Sequence, residues 1–148
     1  MKIHHLFVVL MAISLSNCQA QANLISISNT QKGNTGHRGM IPNDENYKPI
    51  EGKDYYNLTM TIMGDCTLEI SNLTVKADGG QVKLMPKFED GSIKKRFKKS
   101  EVVYFHVEKD KEMTVAKPTI EGEGNLSIKI NGRLKRIPIK EFTMIFPM

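Results

Sequence analysis

Tyr55-Tyr56-Asn57-Leu58-Thr59-Met60-Thr61-Ile62-Met63 is the stretch that decides the fold. Successive side chains of an extended strand point to opposite sides. Tyr56, Leu58, Met60 and Ile62 therefore share one face, and Asn57, Thr59, Thr61 and Met63 share the other. One apolar and one polar face is the pattern of an antiparallel sheet covered on one side only, because parallel strands tend to be apolar on both faces.

The same alternation continues downstream. Gly64-Asp65 predicts a turn, after which Cys66, Leu68 and Ile70 share a face with Leu73 and Val75. The step from 70 to 73 is odd, so a β-bulge near Ser71-Asn72, or a strand break, has to absorb it. Asp78-Gly79-Gly80 is a turn signal, and Val82, Leu84 and Phe88 outline the next strand, whose second half Pro86 confines to an edge. Glu89-Asp90-Gly91 is another turn, and Ile93 to Phe97 a short strand. Val102 to Val107 is apolar or aromatic except for His106, which predicts a central strand buried on both faces. Met113 and Val115 suggest a short strand ending before Pro118. Leu126, Ile128 and Ile130 lead into Asn131-Gly132 and then Arg133 to Ile139. Asn-Gly between two such runs is the strongest short-range hairpin signal, and Pro138 makes the second strand an edge or ends it early. The tail, Phe142 to Phe146, is apolar enough to pack on the domain.

Upstream, Ile25 and Ile27 alternate with Ser26 and Ser28, a short strand. Residues 29 to 54 carry Gly33, Gly36, Gly39, Pro42, Pro49 and Gly52 and predict a long irregular loop, or a loop holding one short edge strand. The count reaches about seven to nine short strands with turns every ~8–12 residues, which predicts an all-β chain, an antiparallel β-sandwich, immunoglobulin-like or similar. Its parts are residues 1–22, an export signal; 23–54, the first strand and the Gly/Pro-rich loop; and 55–148, the remainder of a single domain. The 148-residue length leaves room for one domain and hardly two.

The signal reading rests on Lys2, then the apolar run Leu6 to Leu15, broken only by Ser14. That run is too short for a helix crossing ~30 Å of hydrocarbon, which takes ~20 residues. Two cleavage readings stand. Ala20-Gln21-Ala22 is a small-x-small site that leaves a soluble chain beginning at Asn23. Leu15-Ser16-Asn17-Cys18 resembles the lipobox of bacterial lipoproteins, which implies lipidation of Cys18 and attachment to a membrane face. Either way Cys66 is the structural cysteine that remains, and a small buried hydrophobe on a strand explains it more simply than a reactive thiol.

The search for chemistry finds little. The two cysteines exclude a disulfide-rich scaffold and a four-cysteine zinc site. Gly-x-Ser-x-Gly, HExxH, CxxC, His-x-His and the calcium loop DxDxDG are all missing from the sequence. His106 reads as a buried or cross-strand side chain. His37 and Arg38 stand in the glycine-rich loop, where an adaptable backbone beside a His-Arg pair can meet an anion. The acidic pairs Asp44-Glu45, Glu89-Asp90 and Glu121-x-Glu123 sit at turns, which accounts for them. The sequons at Asn57, Asn72 and Asn125 read as polar outward strand positions.

Charge is the anomaly. The chain has 21 Lys+Arg against 16 Asp+Glu, a formal +5. Lys94, Lys95, Arg96, Lys98 and Lys99 crowd around Phe97, with a smaller group at Arg133, Lys135 and Arg136. Without the first run the rest is close to neutral. A basic run with an aromatic binds polyanions. Edge strands also carry lysines simply to prevent edge-to-edge pairing, and Glu89, Asp90 and Glu101 stand close enough in sequence to neutralise part of the run.

The lipobox-like signal, the Gly33–Gly39 segment, the alternating strands and the late hairpin ending Ile137-Pro138-Ile139-Lys140-Glu141-Phe142 resemble small exported bacterial β-sandwich (lipo)proteins of uncharacterised function. The resemblance implies a periplasmic, outer-membrane-anchored or extracellular location, and no catalytic residue. The expected function is a non-catalytic binding or assembly module of the envelope or exterior. Its partner is a protein or an anionic envelope component, with no cofactor, no metal and no specific nucleic-acid recognition. The alternatives are an inhibitor or structural accessory subunit acting through an edge strand and, remotely, a hydrolase.

Overall fold

The computed structural model describes residues 24–36, 52–77, 79–110, 117 and 119–145. The export signal, Cys18, the His37-Arg38 pair and the Met113–Val115 strand lie outside the described residues. Those described form an all-β, sandwich-like fold without a helix, in two sheets. The strands are β1 (Ile25–Asn34), β2 (Asp54–Ile62), β3 (Cys66–Ala77), β4 (Gly80–Leu84), β5 (Lys94–Phe97), β6 (Val102–Glu108), β7 (Gly124–Ile130), β8 (Arg133–Ile139) and β9 (Thr143–Met144).

The first sheet runs β6-β2-β1-β9. The second runs β4-β3-β7-β8, with β5 also paired to β3. β5 takes the first half of β3 (Cys66 opposite Phe97, Glu69 opposite Lys94), and β4 takes the second half (Leu73 opposite Leu84, Ala77 opposite Gly80). Between these halves the register of β3 on β7 shifts from Ile70 to Asn72. This bulge at Ser71 is the one the apolar spacing requires. It keeps Leu68 and Ile70, then Leu73 and Val75, on the buried face.

The buried side chains of both sheets form one cluster. Tyr56, Leu58, Met60 and Ile62 of β2 are all within 1% of full burial, facing Leu68, Leu73, Val75, Val82, Leu84, Leu126, Ile128 and Ile130. Burying a side chain of this size is worth about 1.5–3 kcal/mol. Three aromatic contacts join the core. Phe88 meets Phe97 and Phe105 at centroid distances of 5.2 and 5.4 Å, and Tyr56 meets Phe142 edge-on at 5.1 Å.

The β7–β8 hairpin forms as read, with Asn131 and Gly132 both at positive φ (49° and 81°). Among the described residues β8 is an edge strand, the first of the two outcomes that Pro138 allows.

Several expectations are corrected. Val102–Val107 is not a central strand. Among the described residues β6 is the edge of its sheet, with Val103 and Phe105 buried and Val102, Tyr104 and His106 exposed. Valine and tyrosine favour strands through their shape even where one face is wet. β1 continues to Asn34 through residues read as loop, because Lys32-Gly33 pairs with Tyr55-Tyr56. Gly33 leaves room there for the Tyr55 ring, which lies where a Cβ would stand. Phe88 is buried but lies beyond the end of β4. Finally, β9 runs parallel to β1, so the fold is not wholly antiparallel.

Candidate polyanion-binding face

The basic run folds into two pieces with different roles. β5 holds Lys94 to Phe97, and a turn holds Lys98 and Lys99. The turn is tied down by carboxylates. Asp65 accepts the Lys99 N–H (2.9 Å) and the Lys98 Nζ (3.1 Å), while Glu101 accepts the Lys98 N–H (2.8 Å). These bonds, the Lys99 main chain first, hold the Asp65 carboxyl below its ordinary range. Ser100 reaches φ 73° and donates its N–H to the Ile62 carbonyl at 2.7 Å.

Phe97 is not a ligand-stacking ring. It is buried against Phe88, opposite Cys66. The Cys66 thiol is likewise buried, and burial pushes its pKa up, away from a reactive thiolate. Lys95 follows the same inward phase at the sheet margin. Its Nζ lies 5.9 Å from the Phe97 ring and 3.3 Å from Asp90. The Asp90 carboxyl, held mainly by the Ser92 hydroxyl and N–H and then by Lys95, is lowered to about 2.

Lys94 and Arg96 point the other way, onto the outer face of the second sheet. The register assembles that face. Lys94 lies opposite Glu69, which lies opposite Lys129; Arg96 lies opposite Thr67. Lys83 lies opposite Thr74, and Arg136 opposite Ser127. Lys76 projects from β3 in the same phase, between inward Val75 and Ala77. Six cationic side chains from all five strands thus share one face with a single strand carboxylate, Glu69. Glu69 is bonded to Lys129 at 2.7 Å, and that bond first holds its carboxyl low. Loop residue Glu121 borders the far end, in a hollow shared with Lys83 and Arg136. Between β5 and the 131–132 turn, Thr67, Glu69, Lys94, Lys95, Arg96 and Asn131 line an open hollow of about 500 Å³.

Among the described residues, Lys94, Arg96 and Lys99 of the basic run and Lys76, Lys83 and Arg136 of the face have no ion-pair partner. Lys76, Lys83 and Lys129 were missed as members of this surface, and Arg136 was read only as part of a separate, smaller basic group. Their outward phase is legible strand by strand, but their common face requires knowing which strands are neighbours.

Of the two readings of His106, the cross-strand one holds and the buried one does not. His106 lies exposed on β6, its Nδ1 2.7 Å from the Asn57 Oδ1, with its ring 5.3 Å from that of Tyr55. Among the described residues, no three His, Cys, Asp or Glu side chains group closely enough to hold a metal ion. Comparison of the chain with protein-family models, characterised proteins and solved structures gives no match.

Proposed function

We propose that this chain is a non-catalytic binding module, exported and acting at a cell envelope or outside the cell, on an immunoglobulin-like or similar sandwich. It takes polyanions on the outer face of its second sheet. The observation that carries the reading is the six-to-one excess of cations over strand carboxylates on that face. Edge protection accounts for lysines on β4, β5 and β8, but Lys76 and Lys129 lie on strands with neighbours on both sides, where no edge needs guarding.

The open surface suits an extended polymer or a membrane face better than a small substrate. Each Lys or Arg near an anionic lipid surface is worth about 1 kcal/mol at physiological salt. The test is salt elution from heparin resin. Lys94→Ala/Arg96→Ala removes two face charges and is expected to elute markedly earlier. Lys95→Ala/Lys98→Ala removes two cations already paired with Asp90 and Asp65 and is expected to shift elution much less. Equal shifts would mean that total charge, not the face, governs binding. No retention of the wild type would end the reading.

A further inference from the structure

We propose that β6 is the edge through which two copies of this chain pair, antiparallel, into one continuous sheet. The proposal concerns the first sheet and does not rest on the polyanion reading.

The edges of the two sheets are unequally protected. β5 is four residues long and carries Lys94, Lys95 and Arg96; β4 is five residues long with Lys83 and is followed by Pro86; β8 carries Arg133, Lys135, Arg136 and Pro138. At the far edge of the first sheet, β9 is two residues long and the β1 beneath it is bulged at Ser28. Short length, basic charge, proline and bulges are the devices that keep edges from pairing. β6 has none of them. It runs seven residues, Val-Val-Tyr-Phe-His-Val-Glu, with regular pairing to β2 throughout. Among the described residues nothing pairs with its outer side.

The hydrogen-bond phase is defined at both ends. Ile62 donates to the Glu101 carbonyl (2.9 Å) and Lys109 donates to the Asp54 carbonyl (2.7 Å). Odd-numbered residues of β6 therefore bond inward to β2. Even-numbered residues, Val102, Tyr104, His106 and Glu108, turn their N–H and C=O groups outward. An antiparallel partner has to match those outward residues with outward residues of its own.

A two-fold axis at Phe105 does this and overlaps the whole strand. It sets Tyr104 opposite His106 of the second copy, a cross-strand aromatic pair. It also sets Glu101 opposite Lys109 and Lys109 opposite Glu101, two opposite-charge cross-strand pairs of the kind that stabilise a sheet. Moving the axis to Tyr104 sets Glu101 against Val107, and moving it to His106 brings Val103 against Lys109, so neither keeps the opposite-charge pairs. The complementary charges thus select the fully overlapped register. Val102 and Tyr104, 47% and 68% exposed, gain cover, as does Met85 (54%), which borders the open groove of about 830 Å³ along the strand.

The experiment is sedimentation velocity of the purified chain over a wide concentration range. The wild type is expected to approach twice the monomer mass as concentration rises. Tyr104→Pro should give a monomer with unchanged far-UV circular dichroism, because the Tyr104 N–H points away from β2 and proline is tolerated there. Lys109→Glu should raise the dimer dissociation constant roughly three- to tenfold, and adding Glu101→Lys should restore it. A wild type that is monomeric at every concentration, or a dimer indifferent to Tyr104→Pro, overturns the proposal. So does a monomer whose β6 amides gain exchange protection only when an unrelated extended peptide is added. A dimer broken by Tyr104→Pro but unmoved by Lys109→Glu overturns the Phe105 register.

Discussion

Asn131 binds Thr67 twice. Its N–H donates to the Thr67 carbonyl at 2.8 Å, and its side-chain Oδ1 accepts the Thr67 N–H at 2.9 Å. The residue that makes the β7–β8 turn possible therefore also fastens that turn to β3, beside Arg96 and the basic hollow. One side chain serves the local turn, the sheet and the candidate site together.

Substitutions at this turn separate those contributions. Asn131→Gly keeps the positive φ and loses only the side-chain bond, at about 0.5–1.5 kcal/mol. Asn131→Ala loses the bond and adds a left-handed penalty of about 1–2 kcal/mol. Gly132→Ala carries the backbone penalty alone, since nothing lies within 4 Å of the added Cβ. Urea unfolding midpoints should therefore rank Asn131→Ala lowest. An Asn131→Ala midpoint equal to that of Asn131→Gly would show that the turn conformation costs nothing here.

The bulge at Ser71 makes a second test. Deleting Ser71 joins Ile70 to Asn72, which still alternate inward and outward against Ile128 and Ser127. The faces on both sides are kept, and the protein should fold with a loss of about 1–3 kcal/mol, the size of an ordinary damaging mutation. Deleting Thr74 instead, where β3 pairs regularly with β4 and β7, turns Val75 and Ala77 outward and Lys76 inward. That variant should lose the folded state. Circular dichroism melts distinguish the two, and equal damage from both deletions would mean that the bulge is an essential bend rather than a phase correction.

These cases mark how far the sequence carries. Spacing alone revealed the bulge and the Asn-Gly turn, because both obey local geometric rules. It misread Val102–Val107 as central because apolarity reports strand shape as well as burial, and Tyr104 is apolar enough to mimic a core residue while standing 68% exposed. It ended β1 too early because Thr30 to Asn34 has no apolar pattern of its own; pairing with Tyr55 to Leu58 holds it extended. For the candidate face, the local run around Arg96 was visible. Asp65, which ties Lys98 and Lys99 across more than thirty positions of chain, was not.

The Asp90 turn yields a pH prediction. Its carboxyl is held down from 3.8 to about 2 by the Ser92 hydroxyl and N–H and by Lys95. The ionised form is favoured in the folded chain. Its contribution is complete above the ordinary carboxyl range and is lost as pH falls from about 4 toward about 2. The Ser92 amide resonance should stay constant from neutral pH to about pH 4.5 and then shift with a midpoint close to 2. In Asp90→Asn that transition should vanish. A midpoint near 4 in the wild type would mean that the bonds from Ser92 do not favour the ionised carboxyl.

Glu69 offers a test with the opposite sign. It is the one strand carboxylate on the cationic face, lying opposite Lys94 on one side and Lys129 on the other. Glu69→Gln keeps the shape, removes the negative charge and releases Lys129 from its 2.7 Å bond. If the face binds polyanions as a unit, the variant should bind better than the wild type. Its affinity for vesicles containing anionic lipid should rise about fivefold, since one charge near the surface is worth about 1 kcal/mol, and it should elute later from heparin. Both gains should shrink as salt rises. Unchanged binding would place the contact away from Glu69. Weaker binding would mean that the Glu69–Lys129 pair positions the face and that its geometry outweighs its charge.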